Sequence, residues 1–281
     1  MISVKKTEIP LRSAAEKIRL PAGIGDIAEI RLRAGRCAAA VTTSGRIICC
    51  SAPFSEKDIA DCFAELCRYS VHSYSNEIAE GFITLDGGHR VGICGTAVLS
   101  GGRITAVKDI SSLNIRIAHE VRGCAEEIYA RFFSDRLRSL LLAGAPMSGK
   151  TTILRDLSRV LGRDHRVALI DSRNELSASV RGLPTLDIGE NTDVLCGYPK
   201  AEGIMTALRS LSPDIIICDE MGNDCEAVEQ CLFCGVRIIA AAHAGSISEL
   251  SRRYGTDRLL PLFDCAAVVE RGKLTESRVM R

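Results

Sequence analysis

The stretch SLLLAGAPMSGKTTILRDLSRVL, Ser139 to Leu161, constrains this chain more than any other. Its apolar run Leu140, Leu141, Leu142, Ala143 predicts a short buried strand. The turn Gly144-Ala145-Pro146-Met147-Ser148-Gly149-Lys150-Thr151 follows, then a helix with Ile153, Leu154, Leu157, Val160 and Leu161 on one side. This is G-x-x-x-x-G-K-[ST] between a strand and a helix, the setting a phosphate-binding loop requires. Gly144 and Gly149 admit backbone conformations that a Cβ blocks. Successive N–H groups up to Thr152 then form an anion nest over the positive end of the helix dipole. Lys150 is the point charge for the β- and γ-phosphates, and the Thr151 hydroxyl is a hard oxygen ligand suited to Mg²⁺. The expected ligands are ATP and Mg²⁺.

Composition narrows the partners. A formal net charge of +1 over 281 residues gives no global field to recruit nucleic acid or anionic lipid. Aromatics are 4% with no Trp, poor material for base stacking, so no nucleic acid is expected. No segment approaches the ~18 apolar residues of a membrane span. The N-terminus has no apolar core of a signal peptide, so a cytoplasmic location is expected. The thirteen cysteines sit in apolar runs and read as free thiols of a reducing compartment. Cys231-Leu-Phe-Cys234 lacks a second pair at zinc spacing and reads as the buried face of a helix.

Residues 1–135 read as a smaller α+β domain. A short helix is expected over Leu11 to Leu20, and alternating strands at Glu29 to Arg33, Ala38 to Val41 and Arg46 to Cys50. Ser55 is placed to cap a helix running to about Tyr69. Four short strands follow at Phe82 to Leu85, His89 to Cys94, Ala97 to Leu99 and Ile104 to Val107, with tight turns at Gly87-Gly88 and Gly101-Gly102. Ser111 to Ala118 is a further strand, and Ala125 to Phe133 a helix. Residues 136–281 alternate strand and helix, which predicts a parallel sheet covered on both faces. Strands are expected at 140–143, 167–170, 215–219, 238–241 and 266–270. Helices are expected at 150–161, about 201–211, about 224–234 and near 248–253.

In such sheets ligands sit beyond the carboxyl ends of the strands. After Ile215-Ile-Ile-Cys come Asp219 and Glu220, the Walker B pattern. Asp219 would hold the Mg²⁺ shell and Glu220 would accept a proton from, or orient, the attacking water. After the second strand, Asp171 with Arg173 and Glu175 would position water or Mg²⁺, or cap a turn. After the fourth, His243 would face the γ-phosphate in a RecA-like strand order, against the plainer reading of a structural histidine. No Asn-Lys-x-Asp element for guanine is present. An acid pair here suits water activation rather than transfer to a bound acceptor.

Asp171-Ser-Arg-Asn-Glu-Leu176, Asp187 through Gly203, Leu208 through Glu220, Gly87 through Ala97 and Asp109 through Ala118 together closely resemble the stage III sporulation protein AA family. That family is similar to the type II/type IV secretion ATPases. The resemblance implies an ATP-hydrolysing P-loop ATPase that powers or assembles a membrane-embedded channel complex during endospore formation. It implies a ring-shaped homo-oligomer, a hexamer, peripherally associated with membrane proteins of that complex. Asp171 and Glu175 fall near the acidic box of secretion ATPases, and His243 on their histidine box. Arg116 lies in a strand similar to one bearing nucleotide-contacting arginines. Secretion ATPases commonly have Gly-Glu where this chain has Asp219-Glu220, and a more glycine-rich loop at Pro146-Met147-Ser148. The competing reading is a nucleic-acid-associated P-loop ATPase, for which Arg31, Arg33 and Arg36 would form a small basic stripe. The fold expected is α/β: a RecA-like P-loop NTPase domain with a smaller α+β N-terminal domain.

Overall fold

The computed structural model describes residues 2–4, 7–9, 11, 14, 17–18, 27–118, 121–222, 224–253 and 260–280. The chain divides into two compact units, Met1–His119 and Glu120–Arg281. Most of the helix expected at 11–20 lies outside the described residues.

The first unit holds a small hairpin of β1 (Ile2–Val4) and β2 (Thr7–Ile9) and a six-stranded antiparallel sheet. Its strands are β3 (Ile27–Arg33), β4 (Cys37–Thr42), β5 (Ile47–Pro53), β6 (Phe82–Thr84), β7 (Arg90–Ser100) and β8 (Arg103–Arg116), in the order β5-β4-β3-β8-β7-β6. A helix over Glu56–Leu66 buries Ile59, Cys62, Phe63 and Leu66 in one core with Ile30, Leu32, Val91, Ile93, Leu113 and Ile115 of the sheet. Ser55 caps it as expected: its hydroxyl accepts from the Asp58 N–H at 3.1 Å, and Asp58 accepts from the Ser55 N–H at 2.7 Å. The helix stops before Tyr69 because Arg68 and Tyr69 take φ of 51° and 57°, left-handed values that end a helix.

The four short strands expected between residues 89 and 118 are two long ones. β7 and β8 run on through bulges at Cys94/Thr96 and Val98/Leu99, and Gly101-Gly102 forms the two-residue turn between them. The break at Gly95 is a bulge within continuous pairing, while Gly101-Gly102 is the turn expected. The basic stripe is also changed, since the Arg31 guanidinium is bonded to the Glu29 carboxylate.

The second unit is a seven-stranded sheet: β9 (Leu140–Ala143), β10 (Val167–Asp171), β11 (Thr192–Cys196), β12 (Ile215–Glu220), β13 (Arg237–Ala242), β14 (Cys265–Glu270) and β15 (Lys273–Val279). The order is β11-β10-β12-β13-β9-β14-β15, parallel except for the antiparallel β14–β15 pair. Alternate residues of each central strand enter opposite cores. Leu141, Ala143, Ile170, Ile216 and Cys218 meet the helices Lys200–Ser210, Cys225–Phe233 and Ile247–Arg253. Leu140, Leu142, Leu169, Ile215 and Ile217 meet the helices Lys150–Leu161 and Glu126–Phe132. The last of these helices stood in the N-terminal domain in the sequence reading. It packs in the second unit because Ile128 and Phe132 are buried there. Two strands were not expected from the sequence. β11 is an edge strand that is only partly buried, and β15 alternates polar residues along the opposite edge.

Candidate nucleotide site

Strand order assembles the site. β13 lies between β9, which leads into the glycine turn, and β12, which ends in the two acids. His243, just beyond β13, therefore stands between Lys150 and Glu220. Its Nε2 is 2.8 Å from Glu220 Oε1, and its Nδ1 is 3.2 Å from Lys150 Nζ. The tautomer satisfying both contacts donates from Nε2–H to the carboxylate and accepts at Nδ1 from the ammonium.

The loop is shaped by two glycines. A Cβ on Gly144 would lie 2.3 Å from Ser148 Oγ and 2.6 Å from the Val269 carbonyl, so no larger residue permits this curl. Gly149 sits at φ +99° as the helix N-cap, against the turn that contains Gly272. The first-turn N–H groups of the Lys150–Leu161 helix have no partner inside the helix and face a cleft of about 480 Å³. That cleft is lined by Pro146, Met147, Ser148, Gly149, Lys150, Thr151, Thr152, Leu154, Arg173, Glu175, Asp219, Glu220, Ala241 and His243. Met147 takes φ 62° and is fully exposed on the loop crest. Gly144 and Ala145 lie below, and their carbonyls accept from Lys150 Nζ at 2.7 and 2.9 Å. Lys150 as a residue is 8% exposed, and burial holds its ammonium below the usual lysine value while the Glu220 carboxylate opposes that shift.

The four acids differ. Asp171 is fully buried: its carboxylate accepts from the N–H of Glu175, Leu176 and Ser177 and from the Ser177 hydroxyl, at 2.7 to 3.1 Å. Of its two sequence readings this is the turn-capping one, and Asp171 does not line the cleft. Glu175 and Glu220 line it. Asp219 lines it too, but its Oδ1 is paired with Lys200 Nζ at 2.9 Å. Burial raises the Asp219 carboxyl above the usual range, and the Lys200 ammonium opposes that. A Mg²⁺ ion would be held by the Thr151 hydroxyl and Asp219 together with phosphates and water, in keeping with its reluctance to dehydrate.

Lys200 was not singled out in the sequence, although one signal was present. A lysine at the first position of a helix opposes the helix dipole, which points to a nearby acid holding it there. Arg173 was seen only as a neighbour of Asp171; its guanidinium lies 3.6 Å from Glu220 Oε2. Arg116 belongs to the first unit, where it is exposed at the end of β8, across from Arg90 and Glu29. Cys231 is buried as expected, but Cys234 caps the helix end and is exposed.

The family model for sporulation stage III, protein AA matches residues 14–273. The chain is 35% identical over 242 residues to stage III sporulation protein AA of Bacillus subtilis, covering 83% of this chain and 78% of that one. Among solved structures it is similar to the Legionella pneumophila ATPase DotB, with a TM-score of 0.57 at 17% identity over 87% of this chain and 72% of the other. It is also similar to the pilus retraction motor PilT, solved with bound ADP, with a TM-score of 0.55 at 16% identity over 86% and 74%. At such identities these likenesses show the fold, a RecA-like P-loop arrangement. No helix among the described residues is long and apolar enough to cross a membrane.

Proposed function

The chain belongs to the sporulation stage III protein AA family, and from that premise we propose that it hydrolyses ATP to ADP and phosphate as a homo-oligomer, a hexamer, serving a membrane-embedded channel complex during endospore formation. The observation that carries the chemistry is the chain of contacts Lys150–His243–Glu220 at the carboxyl ends of three neighbouring strands. A lysine, an imidazole and a carboxylate converge there on a loop of inward N–H groups. The similar folds of an ATPase and of a motor solved with ADP support the same substrate.

In this reading the loop N–H groups from Gly149 to Thr152 take the phosphate oxygens. Lys150 leaves its own loop carbonyls for the β- and γ-phosphates. Mg²⁺, when bound, neutralises charge on the β- and γ-oxygens. Glu220 orients a water and takes its proton as the water oxygen bonds to the γ-phosphorus and the bond to the β–γ bridging oxygen breaks. The hydrogen bond from His243 holds the Glu220 carboxylate in its rotamer.

The test is phosphate release and native mass measured together across protein concentration, with and without single-stranded DNA or RNA. The reading expects specific activity to rise as the oligomer forms and to ignore nucleic acid. Failure of the purified chain to release phosphate from MgATP at any concentration would remove it. Salt-sensitive stimulation by single strands would favour the nucleic-acid reading.

A further inference from the structure

Two cations stand beside the two acids at the end of β12, and they are held differently. Lys200 is closed against Asp219 at 2.9 Å with its side chain only 12% exposed. Arg173 lies 3.6 Å from Glu220, beyond a normal hydrogen bond, with its side chain 65% exposed. Its backbone, by contrast, is pinned on both sides. Asp171 anchors the following turn through four hydrogen bonds. Asn174 exchanges two hydrogen bonds with Ser179, at 2.6 and 2.7 Å. Arg155, from the helix that carries Lys150, donates to the carbonyls of Glu175 and Leu176, at 2.6 Å each. The loop is thus fixed to the phosphate-loop helix, while the Arg173 side chain lines the cleft and is largely exposed.

We infer that Arg173 is a γ-phosphate ligand supplied by the same chain that binds the nucleotide, and that it restrains Glu220 until the phosphate arrives. The inference rests on the ATPase reading above. Without nucleotide the guanidinium balances the Glu220 carboxylate. A γ-phosphate bound at Lys150 offers a more highly charged partner with oxygens matched to the planar fork of arginine. Transfer of the guanidinium to that phosphate frees Glu220 Oε2 to receive the water proton, while Oε1 keeps its bond to His243. The same movement puts positive charge where it accumulates in the transition state. Lysine at this position would keep the charge without the two-pronged geometry.

The full-length chain is compared with Arg173→Ala and Arg173→Lys in three measurements: affinity for MgADP, affinity for MgADP with aluminium fluoride, and the rate of phosphate release. MgADP has no γ-phosphate, so its affinity should stay within about twofold in all three proteins, which also reports an intact fold. Arg173→Ala should lose roughly 10²-fold or more in affinity for the fluoroaluminate complex and in kcat, less than the ~10³–10⁵ that arginine fingers supply, because Lys150 remains. Arg173→Lys should recover part of both. An Arg173→Ala protein that binds the fluoroaluminate complex as tightly as the parent overturns the inference. So does one that turns over as fast or faster, or one that has lost MgADP affinity as well. A parent chain that binds no nucleotide removes the ATPase reading, and this inference with it.

Discussion

In the second unit the strands β9, β10, β12 and β13 are buried along nearly their whole length. In the first, β7 and β8 have one end in the core and the other in solvent. Parallel strands covered by helices on both faces carry continuous apolar runs, and their carboxyl ends all open on one side. Chemistry-bearing residues one step past each strand then meet whatever their distance in sequence. Antiparallel strands alternate direction, so the arginines at 90, 103 and 116 do not converge. Arg90 and Arg116 face each other near the sheet, while Arg103 stands at the tip of the hairpin. Arg90 lies over the Phe82 ring with its guanidinium carbon 3.6 Å from the centroid, a packing role.

The sharpest way to break this contrast is at the convergent end. Glu220→Gln keeps shape and hydrogen bonding but cannot take a proton, so phosphate release should fall by ~10²–10⁴-fold while MgATP still binds. Unchanged turnover would move the base to Glu175, the other glutamate of the cleft lining. Next is core packing. Ile217→Ala, in a fully buried strand, should cost about 2–5 kcal/mol of unfolding free energy. Leu99→Ala, at a position 65% exposed on the hairpin, should stay within about 0.5 kcal/mol. Equal costs by denaturant titration would mean the outer hairpin is covered in solution.

Lys150→Ala removes one charged hydrogen-bond donor and should weaken MgATP binding by roughly 10- to 10²-fold, read by calorimetry. Equal affinity in the two proteins would end the phosphate-loop assignment. The smallest effect is expected at the opposite end of the same sheet. There the Arg166 guanidinium holds the Asp214 carboxyl below the usual range, through contacts at 2.6 and 3.2 Å. A depressed acid contributes stability above its unfolded value and loses it as pH falls. Asp214→Asn should therefore cost about 0.5 kcal/mol near neutrality, discounted for the exposure of the pair, and nothing in acid. A pH-independent difference would mean the charge is not what matters there.

The apolar runs ending at Ala143, Cys218 and Ala242 made three of the site strands legible, because a strand buried on both faces needs no polar alternation. The same rule hid β11 and β15. Both are edge strands that are only partly buried, so their apolar residues form no run as long as those of the central strands. The hairpin reads as four pieces because Gly95 in one strand and Lys108-Asp109 in the other look like breaks until the partner strand is known.

The sequence by itself determined the candidate phosphate loop, the acid pair at 219–220 and the alternation that makes a covered parallel sheet. Each of these is a local pattern whose residues act within one turn or one strand of each other. Only the folded structure decided what each acid is paired with. Asp171 is consumed by the turn it caps, and Asp219 is shared with a lysine from another helix. Glu220 is left between His243 and Arg173. The partners of Asp219 and Glu220 come from separate loops and a separate helix. They meet because β12 lies between β10 and β13, an order set by the packing of whole strands and helices and written in no short stretch of the chain.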